Sequence, residues 1–415
     1  MAQPAYSQCV IAGGGPAGMM LGLLLVRAGV RVAVLEKHRD FLRDFRGDTI
    51  HPSTMEILYE LGLLERFLQL PHEKVSRLFG QFGDLQVPFA DFSHLPVQAP
   101  YIAMMPQWDF LDFLADEGKR YPGFHLAMSA EALDLINADG RVVGVRTRTE
   151  DGEQEIRGDL VIAADGRHSV LREKAGLVVR DLGAPIDVLW FRLSRQPSDS
   201  AETMGRFDPG AIMVMINRGT YWQCAYVIPK GGINEIKAQG LPAFKARLAR
   251  SLPVPAARAN EIASWDDVKL LTVAVDRLEQ WHKPGLLCIG DAAHAMSPVG
   301  GVGVNLAVQD AVAAANILSA PLREGRVEEH HLAAVQTRRL WPTRVVQSLQ
   351  LAIQNNVIAP TLRASAPRKP PLPVRLLTWF PLLRRVPARL VGLGIRPEHV
   401  SDEIRRAAAP GPGPT

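Results

Sequence analysis

The sequence predicts an α/β fold, in which a Rossmann-like dinucleotide-binding domain carries an inserted domain with an antiparallel sheet. At two places far apart in the chain, residues 9–25 and 284–318, an apolar strand pattern runs into a glycine-rich turn and then a helix. Between about residues 183 and 275 the hydrophobic pattern changes to a period of two, which is typical of antiparallel strands. The length of 415 residues also favours two domains.

Composition and charge indicate an ordinary globular enzyme. The chain is 47% hydrophobic and 22% charged, with a net charge of +4. From Thr361 onward there are ten Lys/Arg and three acidic residues, a net charge of +7, which leaves −3 for the rest. Because the positive charge is confined to the C-terminal segment, we expect no nucleic-acid partner.

The three cysteines, Cys9, Cys224 and Cys288, lie far apart in the sequence. This spacing indicates neither a metal site nor a disulfide framework, and it favours a reducing cytoplasm. No apolar run reaches the length of about 18 residues that a membrane-spanning helix requires, and no secretory signal is recognisable. We therefore expect a cytoplasmic protein without a bound metal.

The first glycine-rich turn predicts a dinucleotide site. Gly13, Gly15 and Gly18 have G-x-G-x-x-G spacing, with Pro16 and Ala17 between the last two. The first glycine permits the turn, the second lets a pyrophosphate approach the backbone, and the third lets helix and strand pack closely. A second strand, at residues 30–35, ends at Glu36, 18 residues beyond Gly18, where such a site needs a carboxylate for a ribose hydroxyl.

The middle of the chain predicts further elements around this unit. A helix is expected from Ser53, as a cap with Glu56 three residues on, and another from Gln107. Strand-like runs at 126–135, 142–149 and 155–157, separated by Asp-Gly turn signals, predict a small meander. A buried strand at 159–164 runs into Asp165, which is placed to bind a ligand or to cap the next helix.

A second glycine-rich turn follows the last buried strand. The strand at 284–289 runs into Gly290-Asp291 and then into a loop at 298–305 with three glycines. A helix predicted over 306–318 would direct its positive end at a ligand atom there. Two such turns, about 280 residues apart, suggest one long ligand that is held at both ends.

Together, the stretches 13–18, 164–166 and 290–305 resemble the class A flavoprotein monooxygenases, the para-hydroxybenzoate hydroxylase-like family. The resemblance covers residues 10–318. It implies non-covalent FAD, NADPH or NADH as a transient electron donor, and dioxygen, with an aromatic or polycyclic small molecule hydroxylated through a flavin C4a-hydroperoxide.

The resemblance also implies a division of the chain. The FAD-binding domain comprises residues 1–74, 106–180 and 280–360, and the substrate domain comprises 75–105 and 181–279. A basic, helical C-terminal segment occupies 361–415.

The resemblance implies roles for single residues. Arg46 and Pro298 would lie at the reactive end of the flavin and on the substrate side, respectively. Residues expected to contact the cofactor are Gly13, Gly15, Pro16, Ala17, Gly18, Glu36, Lys37, Arg46, Gln107, Leu133, Asp165, Asp291, Gly301, Gly303, Val304 and Asn305. From the residues alone, Arg46 could equally be a solvated surface side chain, and His51 and His294 are candidate bases only by position.

Several alternatives stay open at this point. Trp222 and Tyr226 could line the substrate pocket or simply pack in the core. The stretch 224–229 keeps the Ile-Pro of the flavin-dependent halogenase motif but not its tryptophans, which disfavours halogenation. An FAD oxidoreductase that inserts no oxygen, and a flavin-binding protein without turnover, are the rival functions.

The C-terminal segment also allows two interpretations. Residues 370–393 are apolar, basic and interrupted by prolines. They could form short helices that cover the flavin domain and the substrate pocket, or a membrane-surface helix that collects a lipophilic substrate. The sequence is compatible with a monomer or a homodimer.

Overall fold

A computed structural model of the protein describes residues 5–42, 49–83, 85–200, 203–366 and 370–406. The strands are β1 (Cys9–Ala12), β2 (Val32–Leu35), β3 (Thr49–Ile50), β4 (Glu73–Val75), β5 (Arg77–Phe82), β6 (Leu85–Asp91), β7 (Ile102–Met104), β8 (Phe124–Ala127), β9 (Glu131–Ala138), β10 (Arg141–Thr149), β11 (Gly152–Arg157), β12 (Leu160–Ala163), β13 (Val179–Asp181), β14 (Ile186–Ser194), β15 (Met204–Asp208), β16 (Ala211–Asn217), β17 (Tyr221–Pro229), β18 (Lys269–Leu271), β19 (Asp276–Leu278), β20 (His282–Lys283) and β21 (Leu286–Cys288).

The α-helices are α1 (Pro16–Arg27), α2 (Pro52–Glu60), α3 (Leu64–Phe67), α4 (Gln107–Lys119), α5 (Val170–Lys174), α6 (Ile233–Ala238), α7 (Leu241–Ser251), α8 (Gly303–Arg323), α9 (Glu329–Ile353), α10 (Ala359–Leu362), α11 (Leu372–Trp379), α12 (Arg385–Gly392) and α13 (Asp402–Arg406). Within the described residues, 3₁₀ turns lie at Ala256–Glu261, Trp265–Asp267, Gly290–Ala292, Val299–Gly301 and Pro381–Arg384, and a π-helical turn lies at Gln354–Ile358.

A six-stranded sheet forms the centre of the first domain, in the order β20-β21-β12-β1-β2-β8. Its strands pair in parallel, except that β20 pairs antiparallel to β21. All residues of β1, β2 and β12 are buried, because helices cover both faces of a parallel sheet. This explains why the sequence shows these strands as short, continuous apolar runs.

Helix α8 is the long central helix of this domain. The segment Val299–Arg323 is apolar and long enough to span a membrane, but 78% of its most apolar window is buried within the protein. The helix packs against α1, and Gly290 keeps the two close, because a Cβ there would lie 3.1 Å from Cβ of Ala17 and 3.4 Å from Cβ of Ala307. Length and hydropathy at 299–323 therefore reflect a core helix.

The predicted meander differs from the structure in its first strand. Positive φ at Ser129 interrupts the run 126–135, so that β8 joins the parallel sheet and β9 joins β10 and β11. The β9–β10 turn is as predicted, since Asp139 and Gly140 both have positive φ, of 49° and 74°.

The second domain contains a seven-stranded sheet, in the order β18-β14-β17-β16-β15-β5-β6. All neighbouring strands are antiparallel, apart from β15 and β5. Side chains alternate between two buried faces. Helix α7 covers one face through Phe244 and Leu248, and the end of α9 with α10 and α12 lies against the other.

Two sequence predictions about element ends are wrong. The period-two pattern that extends to about residue 275 predicts a last strand over 268–275. The strand β18 instead ends at Leu271, because Val273 donates its N–H to Asp187 Oδ1 (2.9 Å) and accepts from Lys230 Nζ (2.5 Å). Ser53 does not cap α2: the N-cap is His51, with Pro52 at the first helical position. The Ser53 hydroxyl instead donates to Asn305 Oδ1, at 2.5 Å.

Candidate active site

The predicted ligand-binding residues lie in a row along one edge of the parallel sheet. Asp291, Asp165, the first glycine turn and Glu36 follow the carboxyl ends of β21, β12, β1 and β2, which are neighbours in that order. Neighbouring strands are about 4.8 Å apart, so the row extends over about 14 Å. The two glycine turns, distant in sequence, thus face the same crevice, which is where ligands bind in such sheets.

The glycine positions of the first turn are sterically demanded. A Cβ at Gly13 (φ +108°) would lie 2.2 Å from the carbonyl oxygen of Ala164, and one at Gly18 would lie 2.0 Å from that of Gly13. Gly15 differs, since a Cβ there would meet no atom within 4 Å. Gly15 caps α1 ahead of Pro16, so open space lies at the positive end of that helix, where a phosphate is stabilised.

Glu36 fixes this turn from the neighbouring strand. One carboxylate oxygen accepts the N–H of Gly14 and the other accepts that of His38, both at 3.0 Å. A carboxylate has about four acceptor sites, and it is the residue type that a ribose hydroxyl requires at the end of this strand. The adjacent Lys37 is exposed.

Asp165 and Asp291 occupy the centre of the row. Burial raises the pKa of Asp165, although the hydrogen bond from the Leu171 N–H (3.3 Å) acts to lower it. Its Oδ1 is buried and has no hydrogen-bond partner in the described part of the chain. The Oδ2 atom of Asp291 lies 3.8 Å from Nη2 of Arg167. Two carboxylates, one with a buried free oxygen, are suited to accept from ligand hydroxyls.

The turn that carries Asp291 is held by a buried ionic network. Asp310 accepts the Gly290 N–H at 3.1 Å, His294 Nε2–H at 2.6 Å and Arg339 Nε–H at 2.9 Å. Burial opposes ionisation of Asp310, but His294 and Arg339 hold its pKa below the usual value. This placement gives His294 a structural role.

The second glycine loop presents a helix end to the crevice. Gly300 and Gly301 have positive φ, of 80° and 64°, and α8 begins directly after them at Gly303. Val304 is buried, and so is the side chain of Asn305, whose Oδ1 accepts from the Ser53 and Thr54 hydroxyls at 2.5 and 3.2 Å. The backbone N–H groups of this first turn have no acceptor within the helix and lie at the positive end of 21 residues of α8.

The loop that bears Pro298 is fixed by glutamines that the sequence analysis missed. Gln350 accepts the Ser297 N–H (3.2 Å) and donates to the carbonyl oxygens of Ser297 and Val299 (both 2.9 Å). Gln347 donates to the Ala295 carbonyl at 3.1 Å, and Gln354 donates to the Ser297 hydroxyl. All three glutamines are buried; Gln347 and Gln350 lie on α9, and Gln354 begins the π-helical turn that continues it. Their i, i+3, i+7 spacing was the available signal.

Gln107 and Leu133, which were also predicted to contact the cofactor, lie outside the row along the sheet edge. Gln107 is half-buried at the first position of α4, and Leu133 is half-buried in β9. Arg46 lies outside the described residues, so its role stays a prediction of the resemblance.

Of the two alternatives left open for Trp222 and Tyr226, the structure favours packing in the core. Both side chains are almost fully buried, at 1% and 2% exposure, in the core under α7. The opposite sheet face, with Trp190 and Val214, packs near Val299 of the second glycine loop. The alternation of side chains along β17 therefore directs Trp222 and Tyr226 away from that loop.

His51 joins the second glycine loop to α12. Its ring nitrogens lie 2.8 Å from the Val391 carbonyl oxygen (Nδ1) and 3.1 Å from that of Gly301 (Nε2). Complete burial lowers the pKa of His51 to about 4, although both carbonyls favour the charged form. The neutral ring donates its single N–H to one of these carbonyls, and its other nitrogen lies beside the second. Protein atoms therefore occupy both sides of the ring, which gives His51 a structural role.

The crevice fits an extended dinucleotide such as FAD. Space at Gly15, a buried free carboxylate oxygen on Asp165 and the α8 N-terminus supply complementary sites for phosphate, hydroxyl and an electron-rich ring edge.

Comparisons with known proteins agree with this site. A family model described as "FAD binding domain" matches residues 6–349. The chain is 30% identical over 391 residues to 6-methylpretetramide 4-monooxygenase of Streptomyces rimosus, covering 93% of each chain. It is 29% identical over 321 residues to 12-dehydrotetracycline 5-monooxygenase/anhydrotetracycline 6-monooxygenase of S. rimosus subsp. rimosus, covering 73% of this chain but only 60% of that longer protein.

A solved structure shows the same fold. The crystal structure of PqsL, a probable FAD-dependent monooxygenase from Pseudomonas aeruginosa, matches with a TM-score of 0.73 and 21% identity, covering 86% of this chain and 98% of that one. With a family model matched over residues 6–349 and a relative 30% identical over 93% of the chain, this protein belongs to the FAD-binding monooxygenases of the para-hydroxybenzoate hydroxylase-like fold, and its cofactor is FAD.

Proposed function

We propose that the protein hydroxylates a polycyclic aromatic compound, with NADPH or NADH as electron donor and dioxygen as oxidant. The observation that carries this proposal is the similarity to 6-methylpretetramide 4-monooxygenase, which extends over 93% of both chains. The reaction balances when one oxygen atom enters the substrate and the other leaves as water, with oxidation of one reduced nicotinamide and uptake of one proton.

Bound FAD supplies the redox chemistry, by accepting hydride from the nicotinamide and activating dioxygen. The chain's own residues would bind and orient it. Gly13 and Gly18 permit the tight turn, Gly15 leaves room for the pyrophosphate, and Glu36, Asp165 and Asp291 would accept from hydroxyls. Lys37, Gln107 and Leu133 are proposed as peripheral contacts, and Arg46 as a contact at the reactive end. The α8 N-terminus at Gly303–Asn305 stabilises negative charge on the ring edge.

The proposed substrate position lies between the Pro298 loop and the sheet face that carries Trp190 and Val214. Val391 of α12 packs against Met296 and Val302, on either side of Pro298 in the sequence, and against Leu306 in the first turn of α8. This apolar enclosure supports a large, flat and lipophilic substrate, and it excludes water from the reacting atoms.

We further propose a cytoplasmic protein, monomeric or homodimeric, that contacts a membrane through its C-terminal segment. Three free, buried cysteines support the cytoplasmic location.

The function is tested with the purified holoenzyme and a panel of polycyclic phenols. We expect a substrate-stimulated oxidation of NADPH or NADH, and a product whose mass gains one ¹⁸O atom when the gas phase is ¹⁸O₂. Nicotinamide oxidation with a product of unchanged oxygen content would indicate the rival oxidoreductase. If neither NADPH nor NADH reduces the bound flavin in the presence of any compound of the panel, the protein is a flavin-binding protein without turnover.

A further inference from the structure

A cluster of exposed apolar side chains covers the C-terminal segment. Of the sixteen exposed large hydrophobic residues in the described chain, six fall within residues 372–386. We call them the docking face: Leu372, Trp379, Phe380, Leu382, Leu383 and Val386, which are 40–69% exposed. Single exposed apolar residues are ordinary on a protein surface, but a contiguous group indicates a surface that contacts something apolar.

Positive charge surrounds the docking face. Residues 370–397 contain five arginines and no aspartate or glutamate. Arg385 and Arg389 are exposed, and the Arg375 guanidinium lies 4.9 Å from the ring centroid of Trp379. Aromatic and aliphatic side chains next to arginines fit an interface in which acyl chains lie beneath anionic headgroups.

The inner side of the same segment forms part of the proposed substrate enclosure. Ala388 of α12 is completely buried, next to the sheet face that carries Trp190. Val391 packs on the second glycine loop, and its carbonyl oxygen accepts from His51, 2.8 Å from Nδ1. The docking face and the wall of the enclosure are thus two sides of one short segment.

We propose that the docking face binds the surface of an anionic lipid bilayer, and that the lipophilic substrate enters the enclosure from that surface. A second copy of the chain fits less well, because two such faces would bring like-charged arginine clusters together. The uptake role rests on the proposed function, whereas the docking itself does not.

Vesicle co-sedimentation of the full-length holoenzyme tests the docking. We expect binding to phosphatidylcholine vesicles that contain phosphatidylglycerol, and roughly tenfold weaker binding to pure phosphatidylcholine or at high salt. The double variant Trp379→Ser/Leu382→Ser should lose binding by roughly tenfold or more, because it removes two inserted side chains. Arg385→Gln/Arg389→Gln should weaken binding to the anionic vesicles only.

Trp341→Ser is the matched control, since Trp341 is equally exposed (55%) but lies on α9, and this variant should bind like the wild type. Flavin content and hydroxylation of a water-soluble substrate are measured in parallel, so that failure of the proposed function is seen separately. Absence of binding to every vesicle would overturn the proposal. A dimer that Trp379→Ser/Leu382→Ser converts to a monomer, without vesicle binding, would overturn it in favour of self-association.

Discussion

At the scale of single residues, Asp291 is the proposed contact for a flavin hydroxyl. Its nearest charged partner in the described chain is Arg167, at 3.8 Å, so its acceptor sites remain accessible. We expect Asp291→Ala to bind FAD about 10–100-fold more weakly, the equivalent of about 1.5–3 kcal/mol for a hydrogen bond to a charged group. The measurement is flavin absorbance relative to protein in the purified variant. Glu279→Ala, at a nearby exposed carboxylate, is the control, and full flavin occupancy in Asp291→Ala would remove the assignment.

His51 determines a second outcome at this scale, the dependence of stability on pH. Burial lowers its pKa from 6.5 to about 4 in the folded protein, so the unfolded chain takes up the proton first. The contribution of His51 to stability is therefore complete above about pH 6.5 and decreases as the pH falls to about 4, by up to about 3 kcal/mol.

Urea unfolding at several pH values checks this expectation in the wild type and in His51→Gln. At pH 7.5 the variant should be less stable than the wild type, because the substitution removes the buried contacts of the ring. The difference in the free energy of unfolding should narrow as the pH falls, because only the wild type loses stability through His51. A gap that stays constant between neutral pH and about pH 4 would show that His51 does not titrate with unfolding.

At the scale of elements, α9 positions the Pro298 loop through its glutamines. Gln350→Leu keeps the side-chain volume but leaves one buried N–H and two carbonyls of the loop without partners. We expect the free energy of unfolding to fall by about 2–4 kcal/mol, and the loop to position the substrate less accurately. FAD should remain bound, while the ratio of hydroxylated product to oxidised nicotinamide falls several-fold and hydrogen peroxide rises.

Ser348→Leu is the matched control on the same helix, because it introduces the same side chain at an exposed position. An unchanged product ratio in Gln350→Leu would mean that the loop keeps its position without this clamp.

At the scale of the whole molecule, a buried network ties the C-terminal segment to the flavin site. Glu398 accepts from Arg338 Nε (2.8 Å) and Arg339 Nη1 (3.1 Å), and Arg339 also donates to Asp310. We expect Glu398→Gln to lower the free energy of unfolding by about 2–4 kcal/mol, because a buried arginine loses one of its two anionic partners.

Glu403→Gln supplies the comparison for Glu398→Gln. Glu403 also pairs with an arginine, Arg323, but it is 53% exposed, so its loss should cost less than about 1 kcal/mol. Both variants are measured by urea unfolding. Equal losses in the free energy of unfolding would show that the buried network stabilises the protein no more than an exposed ion pair does.

The sequence by itself determined the fold class and the cofactor of this protein. The glycines at 13, 15 and 18 and the acid at 36 are local signals, since turn geometry and backbone approach restrict those positions to particular residue types. The continuous apolar character of β1, β2 and β12 is likewise local, because burial on both faces leaves no polar position.

Only the tertiary structure decided which distant residues meet and which way they face. The contacts of Gln347, Gln350 and Gln354 with the Pro298 loop, the contact between His51 and α12, and the Asp310–Arg339–Glu398 network all join segments that are distant in sequence. A local pattern can show that such a side chain is buried, but it does not specify the partner. Trp222 and Tyr226 lie under α7, although their composition suited a pocket, because strand register sets the face on which a side chain lies. In residues 370–393, likewise, only the tertiary structure separates the side chains that pack inward, such as Ala388 of α12, from those of the docking face, which stay exposed.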